Sequence, residues 1–133
     1  MTDTAGVRRA SVAGVGVEVD ARSKTPASDQ LRGQLIAAIE RGELTTGAQL
    51  PPVRRLADEL GLAANTVAKV YRELERDEFV VTRGRNGTSV APTGVGPARQ
   101  AQLAALAYAA RTRELGVSPV DAVAFVEAAL RAP

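Results

Sequence analysis

Between Leu50 and Ala91 the sequence reads LPPVRRLADELGLAANTVAKVYRELERDEFVVTRGRNGTSVA: two short amphipathic helix patterns around one glycine, then two strand-like runs around Asn86-Gly87. That order narrows the fold sharply. The first pattern opens at Pro51-Pro52 and has Val53, Leu56, Ala57 and Leu60 on one side, with Arg54, Arg55, Asp58 and Glu59 on the other. After Gly61 the second pattern places Val67, Val70, Tyr71 and Leu74 at i, i+3, i+4 and i+7, opposite Asn65, Lys69, Arg72 and Arg76. Two helices this short, joined by a turn with one glycine, cross steeply, so their apolar stripes share a core. The second helix, 64–77, then turns its polar face outward. Phe79 to Arg83 and Thr88 to Ala91 read as the strands of a hairpin, because Asn-Gly suits a tight turn with positive φ. The expected arrangement is a winged helix-turn-helix.

The flanking sequence extends this unit in both directions. Residues 1–14 are small and polar, lack periodicity and include Arg8-Arg9, so they are expected to form a mobile arm. Val15, Val17 and Val19 alternate with Gly16 and Glu18, the mark of a short half-buried strand. Thr25-Pro26 is expected to cap and open a core helix running to about Arg41. Its stripe is Leu31, Leu35, Ala38 and Ile39, and Gly42 supplies a left-handed stop. The winged domain therefore spans 15–91, and Pro92, Gly94, Gly96 and Pro97 mark a linker over 92–97.

Residues 98–133 are helical again, with Leu103, Leu106, Ala107 and Ala110 on one stripe and Val123, Val126 and Leu130 on another. Ser118-Pro119-Val120-Asp121 reads as the capped start of the last helix. A tail of roughly 35 residues is too short to bury a stable core alone. Its stripes need a cover, either a second copy of the chain or the winged domain itself; a dimer contact through Leu103, Leu106, Ala110, Val123, Val126 and Leu130 is expected. The fold class is thus mainly α with a small β-wing: a winged helix-turn-helix followed by a two-helix dimerisation element.

Composition bounds the chemistry. The 133 residues contain no Cys and no His, which removes disulfides, thiolate or imidazole metal ligands and His-based acid/base catalysis. Neither a metal, a cofactor nor an enzymatic activity is expected. The carboxylates Asp58, Glu59, Glu73, Glu75, Asp77 and Glu78 read as a solvated face, since no nucleophile or base accompanies them. A net charge of only +2 means that any nucleic-acid surface must come from the placement of cations, not from their excess. No leader and no apolar run of about 20 residues is present, so a soluble cytoplasmic protein is expected.

A helix that reads DNA presents polar and cationic groups near its N-terminus, where it enters the major groove. Asn65, Thr66 and Lys69 hold those positions, with Arg72 one turn on. Asn pairs two-pronged with adenine, Thr meets a base edge, a thymine methyl or a phosphate, and Lys meets guanine or a phosphate. The competing reading is local: Asn65 and Thr66 cap the helix while Lys69 and Arg72 solvate it. Arg54 stands at the start of the preceding helix, where phosphates meet N-terminal amides. Arg55 has Glu59 four residues on, and a surface ion pair accounts for it. In the wing, Arg83, Arg85, Asn86, Gly87 and Thr88 form a basic tip suited to a minor groove or to phosphates, or else a solvated turn.

These residues resemble the N-terminal domain of GntR-family transcription regulators, whose pattern is LP-x-x-R-x-LA, LG, TV, LE and a glycine-rich wing. Here those are Leu50-Pro51, Arg54, Leu56-Ala57, Leu60-Gly61, Thr66-Val67, Leu74-Glu75 and the Arg83 to Gly87 segment. The segment NTVAKVYRELE and the short tail resemble the YtrA-like branch, which implies that the tail is a dimerisation element. Two positions depart from the pattern. The family usually has a Ser or Asn cap and a basic residue just before the recognition helix, where this chain has Ala63-Ala64. A glycine commonly separates that helix from the wing, where this chain has Asp77-Glu78-Phe79.

The resemblance implies a sequence-specific, homodimeric DNA-binding repressor on a pseudo-palindromic operator, with double-stranded DNA and a second copy as partners. The short tail leaves little room for a pocket of a few hundred Å³, so no large effector domain is expected; a small ligand at a dimer interface stays open. Two other readings remain at this stage: a nucleic-acid-binding or architectural protein without sequence choice, and a protein-interaction adaptor built on a winged helix.

Overall fold

Prolines and left-handed residues set most of the element boundaries. The computed structural model describes residues 6–84, 87–94 and 96–133. In chain order the elements are β1 (Val7–Val12), β2 (Val15–Asp20), α1 (Ala27–Glu40), α2 (Val53–Leu60), α3 (Ala64–Arg76), β3 (Val80–Thr82), β4 (Thr88–Val90), α4 (Pro97–Glu114) and α5 (Pro119–Arg131). They fall into two units, residues 1–93 and 94–133.

The first unit corrects the expectation of a mobile arm over residues 1–14. Residues 7–12 form β1 and pair antiparallel with β2, from Val7 opposite Asp20 to Val12 opposite Val15; residues 1–5 lie outside the described residues. The hairpin turns on Ala13-Gly14, with φ of +48° and +86°. A two-residue hairpin turn of this kind needs positive φ at both positions and usually advertises itself as Asn-Gly. Alanine hides the signal, and Arg8-Arg9 hides the alternation. Val12, Val17 and Val19 lie on the inner face and are buried, with β2 against α1 and β1 against α2.

The outer edge of β2 is closed by two amides from α1. Gln34 accepts from the Glu18 backbone N–H at 2.8 Å and donates to the Glu18 carbonyl; Gln30 does the same for Asp20, at 2.8 and 3.0 Å. Residues four apart on a helix share a face, and alternate residues of a strand share an edge, so the two spacings match. An edge satisfied in this way is no template for another strand.

Thr25 does not cap α1. The N-cap is Pro26, with no side-chain cap bond, because the helix starts one residue later than a Thr25 cap requires. Its buried residues are Leu31, Leu35, Ala38 and Ile39. They meet Leu56, Ala57 and Leu60 of α2 and Val67, Val70 and Leu74 of α3 in one core with the hairpin valines. Each fully buried leucine contributes about 1.5–3 kcal/mol. Arg32 ties α1 to α3 through Glu73 at 2.8 Å and is held in place by Asp29 at 2.9 Å.

The wing strands pair Val80 with Val90 and Thr82 with Thr88. On its other side β4 meets the segment between α1 and α2: Gly47 N–H donates to the Val90 carbonyl, Val90 N–H to Ala48, and Leu50 N–H to Thr88. The wing therefore grows from the chain that leads into α2. In the second unit, α5 starts on Ser118, whose Oγ accepts the Asp121 N–H at 3.2 Å, with Pro119 in the first turn. Tyr108 of α4 donates to the Ala122 carbonyl at 2.8 Å and fastens the two tail helices together.

Candidate nucleic-acid interface

The turn between α2 and α3 is built on Gly61, at φ +67° and ψ +31°. Leu62 N–H donates to the Ala57 carbonyl at 2.9 Å across it, closing the end of α2. Ala63 then takes extended backbone and serves as N-cap of α3, without a side-chain cap bond. Asn65 and Thr66 therefore sit inside the first turn and are not the cap. Thr66 N–H turns back on the Ala63 carbonyl at 3.0 Å, and with no side chain capping it the start of α3 is an end where a helix favours an anion.

Val67, Val70, Tyr71 and Leu74 face the core, which fixes the opposite face outward. On it Asn65, Lys69 and Arg72 are exposed and Thr66 is half-buried. Tyr71 does more than fill space. Its hydroxyl donates to the Pro51 carbonyl at 2.6 Å, so the residue before the N-cap of α2 is tied to the middle of α3. Burial pushes the Tyr71 phenol well above its ordinary pKa, against a small opposing pull from Arg55; the group stays a neutral donor. Arg54, in the first turn of α2, is thereby held in a fixed relation to the polar face of α3.

Several cations on and around the helix-turn-helix and wing differ from most of the others of this unit in their pairing. Arg9 pairs with Glu18, Arg32 with Asp29 and Glu73, Arg41 with Glu43, Arg55 with Glu59 and Arg76 with Asp77. For Arg55 this is the surface pair expected from its spacing. By contrast, Arg54, Lys69, Arg72 and Arg83 have no carboxylate partner among the described residues and are exposed. A positive group without a local counter-charge is available to a phosphate.

At the wing, Arg83 N–H donates to the Gly87 carbonyl at 2.8 Å and Gly87 N–H to Gly84 at 3.1 Å. Gly84 and Gly87 both have positive φ, +51° and +77°. The Thr82 and Thr88 hydroxyls lie 3.2 Å apart across the strands. Arg85 and Asn86 lie outside the described residues. Gln49, to which helical or strand periodicity assigns no role, pairs with Ser89 in an antiparallel bridge beside the wing.

In the tail, Leu103 and Val126 are partly exposed, and Val123 and Leu130 are exposed at 58% and 80%. Leu106 is half-buried and Ala110 exposed. Val120 and Phe125 of α5 are exposed as well, at 79% and 57%. Among the described residues no helix is long and apolar enough to cross a membrane.

Comparison with known proteins matches residues 27–90 to the family described as bacterial regulatory proteins, gntR family. The HTH-type transcriptional regulator Rv1152 of Mycobacterium tuberculosis is 44% identical over 110 residues, 83% of this chain and 90% of that protein. The HTH-type transcriptional repressor YtrA of Bacillus subtilis is 36% identical over 74 residues, 56% of this chain and 57% of the relative. Among solved structures, YtrA from Sulfolobus acidocaldarius, a GntR-family transcription factor, is similar with a TM-score of 0.55 at 29% identity, covering 86% of this chain and 96% of that one. With its helix-turn-helix and wing in the order that family uses, the chain belongs to the GntR family and is a DNA-binding transcriptional regulator, not an enzyme.

Proposed function

We propose that this regulator is a cytoplasmic homodimeric repressor whose two heads read a pseudo-palindromic operator, with half-sites about 10 bp apart centre to centre. In this reading α3 enters the major groove, with Asn65 and Thr66 toward base edges and Lys69 and Arg72 toward guanine or phosphate. Arg54 meets a phosphate at the start of α2, and the Arg83 to Thr88 wing lies along the backbone or in the minor groove. The tail stripes of Leu103, Leu106, Ala110, Val123, Val126 and Leu130 pair with those of a second copy. The relative named a repressor, YtrA of Bacillus subtilis, supports the direction of regulation. No large effector domain belongs to this proposal.

The observation that carries it is the partition of charge: Lys69 and Arg72 on α3, Arg54 in the first turn of α2 and Arg83 beside the wing have no carboxylate partner among the described residues, while Arg55, Arg32 and Arg76 are paired locally. Fragments selected from genomic DNA by the purified chain provide the operator. Affinity for it is expected to exceed that for random duplex by at least about a thousandfold at physiological salt. The double variant Arg54→Ala, Lys69→Ala is expected to lower affinity by about a hundredfold and to flatten the salt dependence by about two phosphates. Equal affinity for operator and random DNA would establish binding without sequence choice. An unchanged double variant would remove α2 and α3 from the interface.

A further inference from the structure

The turn of the helix-turn-helix is overlaid by a side chain from the far end of the chain. A Cβ at Gly61 would lie 2.8 Å from Arg8 Nη1, 3.3 Å from Cζ and 3.7 Å from Cγ. The guanidinium of Arg8 thus rests against the turn, with its aliphatic stem alongside. The pleat of β1 puts it there. Val12, Ala10 and Arg8 share one face, opposite Val15, Val17 and Val19 in the register, and Val12, Val17 and Val19 are buried under the helices. The face that begins as core therefore ends in a cation at its margin.

Arg8 is exposed and has no carboxylate partner among the described residues. Its neighbour Arg9, on the other face of the hairpin, is paired with Glu18 at 3.0 Å. Gly61 precedes the first residue of α3, Ala64, by three positions. That end of α3 has an Ala63 cap without a side-chain bond and carries no charge at positions 63 and 64.

We propose that Arg8 is a phosphate-contacting residue of the DNA interface, reaching across Gly61 to the backbone beside the uncharged start of α3. The N-terminal hairpin is then part of the reading head and not only a cover for α1 and α2. This rests on the proposed placement of α3 at the DNA. A phosphate contact positions without choosing sequence, so its loss weakens all DNA alike.

The test measures anisotropy of two labelled duplexes, one of random sequence and one selected from genomic fragments by the wild-type chain, over a salt series. Arg8→Ala is expected to lose about tenfold on both duplexes and to reduce the salt slope by about one, while Arg8→Lys keeps the slope. Arg9→Ala, on the opposite face, is expected to leave both unchanged. A partly unfolded variant would lower the amplitude of binding but not its salt slope, so the slope decides. An unchanged slope for Arg8→Ala, or an equal loss for Arg9→Ala, would overturn the assignment. If Arg8→Ala and the Arg54→Ala, Lys69→Ala pair are all silent, the placement of α3 fails; if Arg8→Ala alone is silent, only this inference fails.

Discussion

Helices α3 and α5 are both 13 residues long and are held in opposite ways. α5 has the local signals of a well-formed helix: a Ser118 cap, proline in the first turn, Asp121 near its start and Arg131 near its end. It buries none of its residues. α3 starts on an alanine without a side-chain cap and buries Val67, Val70, Tyr71 and Leu74. Isolated helices of this length are marginal in water whatever their caps. α3 is therefore stabilised by tertiary packing and not by its ends. α5 has good ends but leaves Val120, Val123, Phe125 and Leu130 exposed, the apolar surface that the proposed dimer would cover.

Core truncation is the strongest way to break that comparison. Leu74→Ala, at a fully buried site in α3, is expected to cost about 2–5 kcal/mol in urea unfolding. Val123→Ala in α5 is expected to cost under about 0.5 kcal/mol when the chain is dilute and to act instead on self-association. Sedimentation over a concentration series, with the melting temperature recorded at each point, separates the two effects. Equal losses for both substitutions at every concentration would mean that the tail contributes to the same cooperative core as the head.

Tyr71 tests whether the packing that holds α3 also positions the interface. Tyr71→Phe removes the bond to the Pro51 carbonyl and is expected to cost about 0.5–1.5 kcal/mol. The sign with pH follows from burial, which raises the phenol pKa in the folded chain. In the unfolded chain the phenol ionises near its ordinary value of about 10. Below that value both states are protonated and the contribution is complete; as pH rises through it the unfolded state loses its proton first, and stability falls. The Phe variant is expected to show a shallower alkaline decline in denaturant titrations. An identical decline would assign it to other groups.

What the sequence made legible follows the same division between periodic and non-local features. The stripes of α1, α2 and α3 were readable because helical spacing reports burial directly, and Gly61 announced the turn. The wing was readable from Asn86-Gly87, although its strands are shorter than the runs suggested, Val80–Thr82 and Thr88–Val90. β1 was not readable. Its inner face is Arg8, Ala10 and Val12, which carries only one bulky apolar residue, and its turn uses alanine at positive φ. The Gln30 and Gln34 clamps and the Tyr71 bond were equally hidden, since each depends on which backbone group lies opposite. For the interface, the outward face of α3 was legible, whereas the juxtaposition of Arg8 with Gly61 spans more than fifty residues and needs the hairpin first.

The smallest effects lie at the two ends of α3, where local signals were sacrificed. At its C-terminal end Glu78 N–H donates to Glu75 and Phe79 N–H to Leu74, at 3.0 and 2.8 Å, the bonding of a helix stop that favours glycine. Glu78 adopts it at φ +66°, a conformation that strains any residue with a Cβ. Glu78→Gly is expected to stabilise the head by about 0.5–1 kcal/mol, and Ala63→Ser, which supplies the absent cap, by a similar amount. The sites are a full helix apart, about 20 Å at 1.5 Å per residue, so the gains should add within about 0.5 kcal/mol in thermal and urea unfolding. Because tertiary packing already holds α3, neither change should alter its orientation or the identity of its exposed residues. A Glu78→Gly variant no more stable than the parent would show that Glu78 gains from its surroundings what its backbone loses, and would weaken the view that α3 is held by its buried face alone.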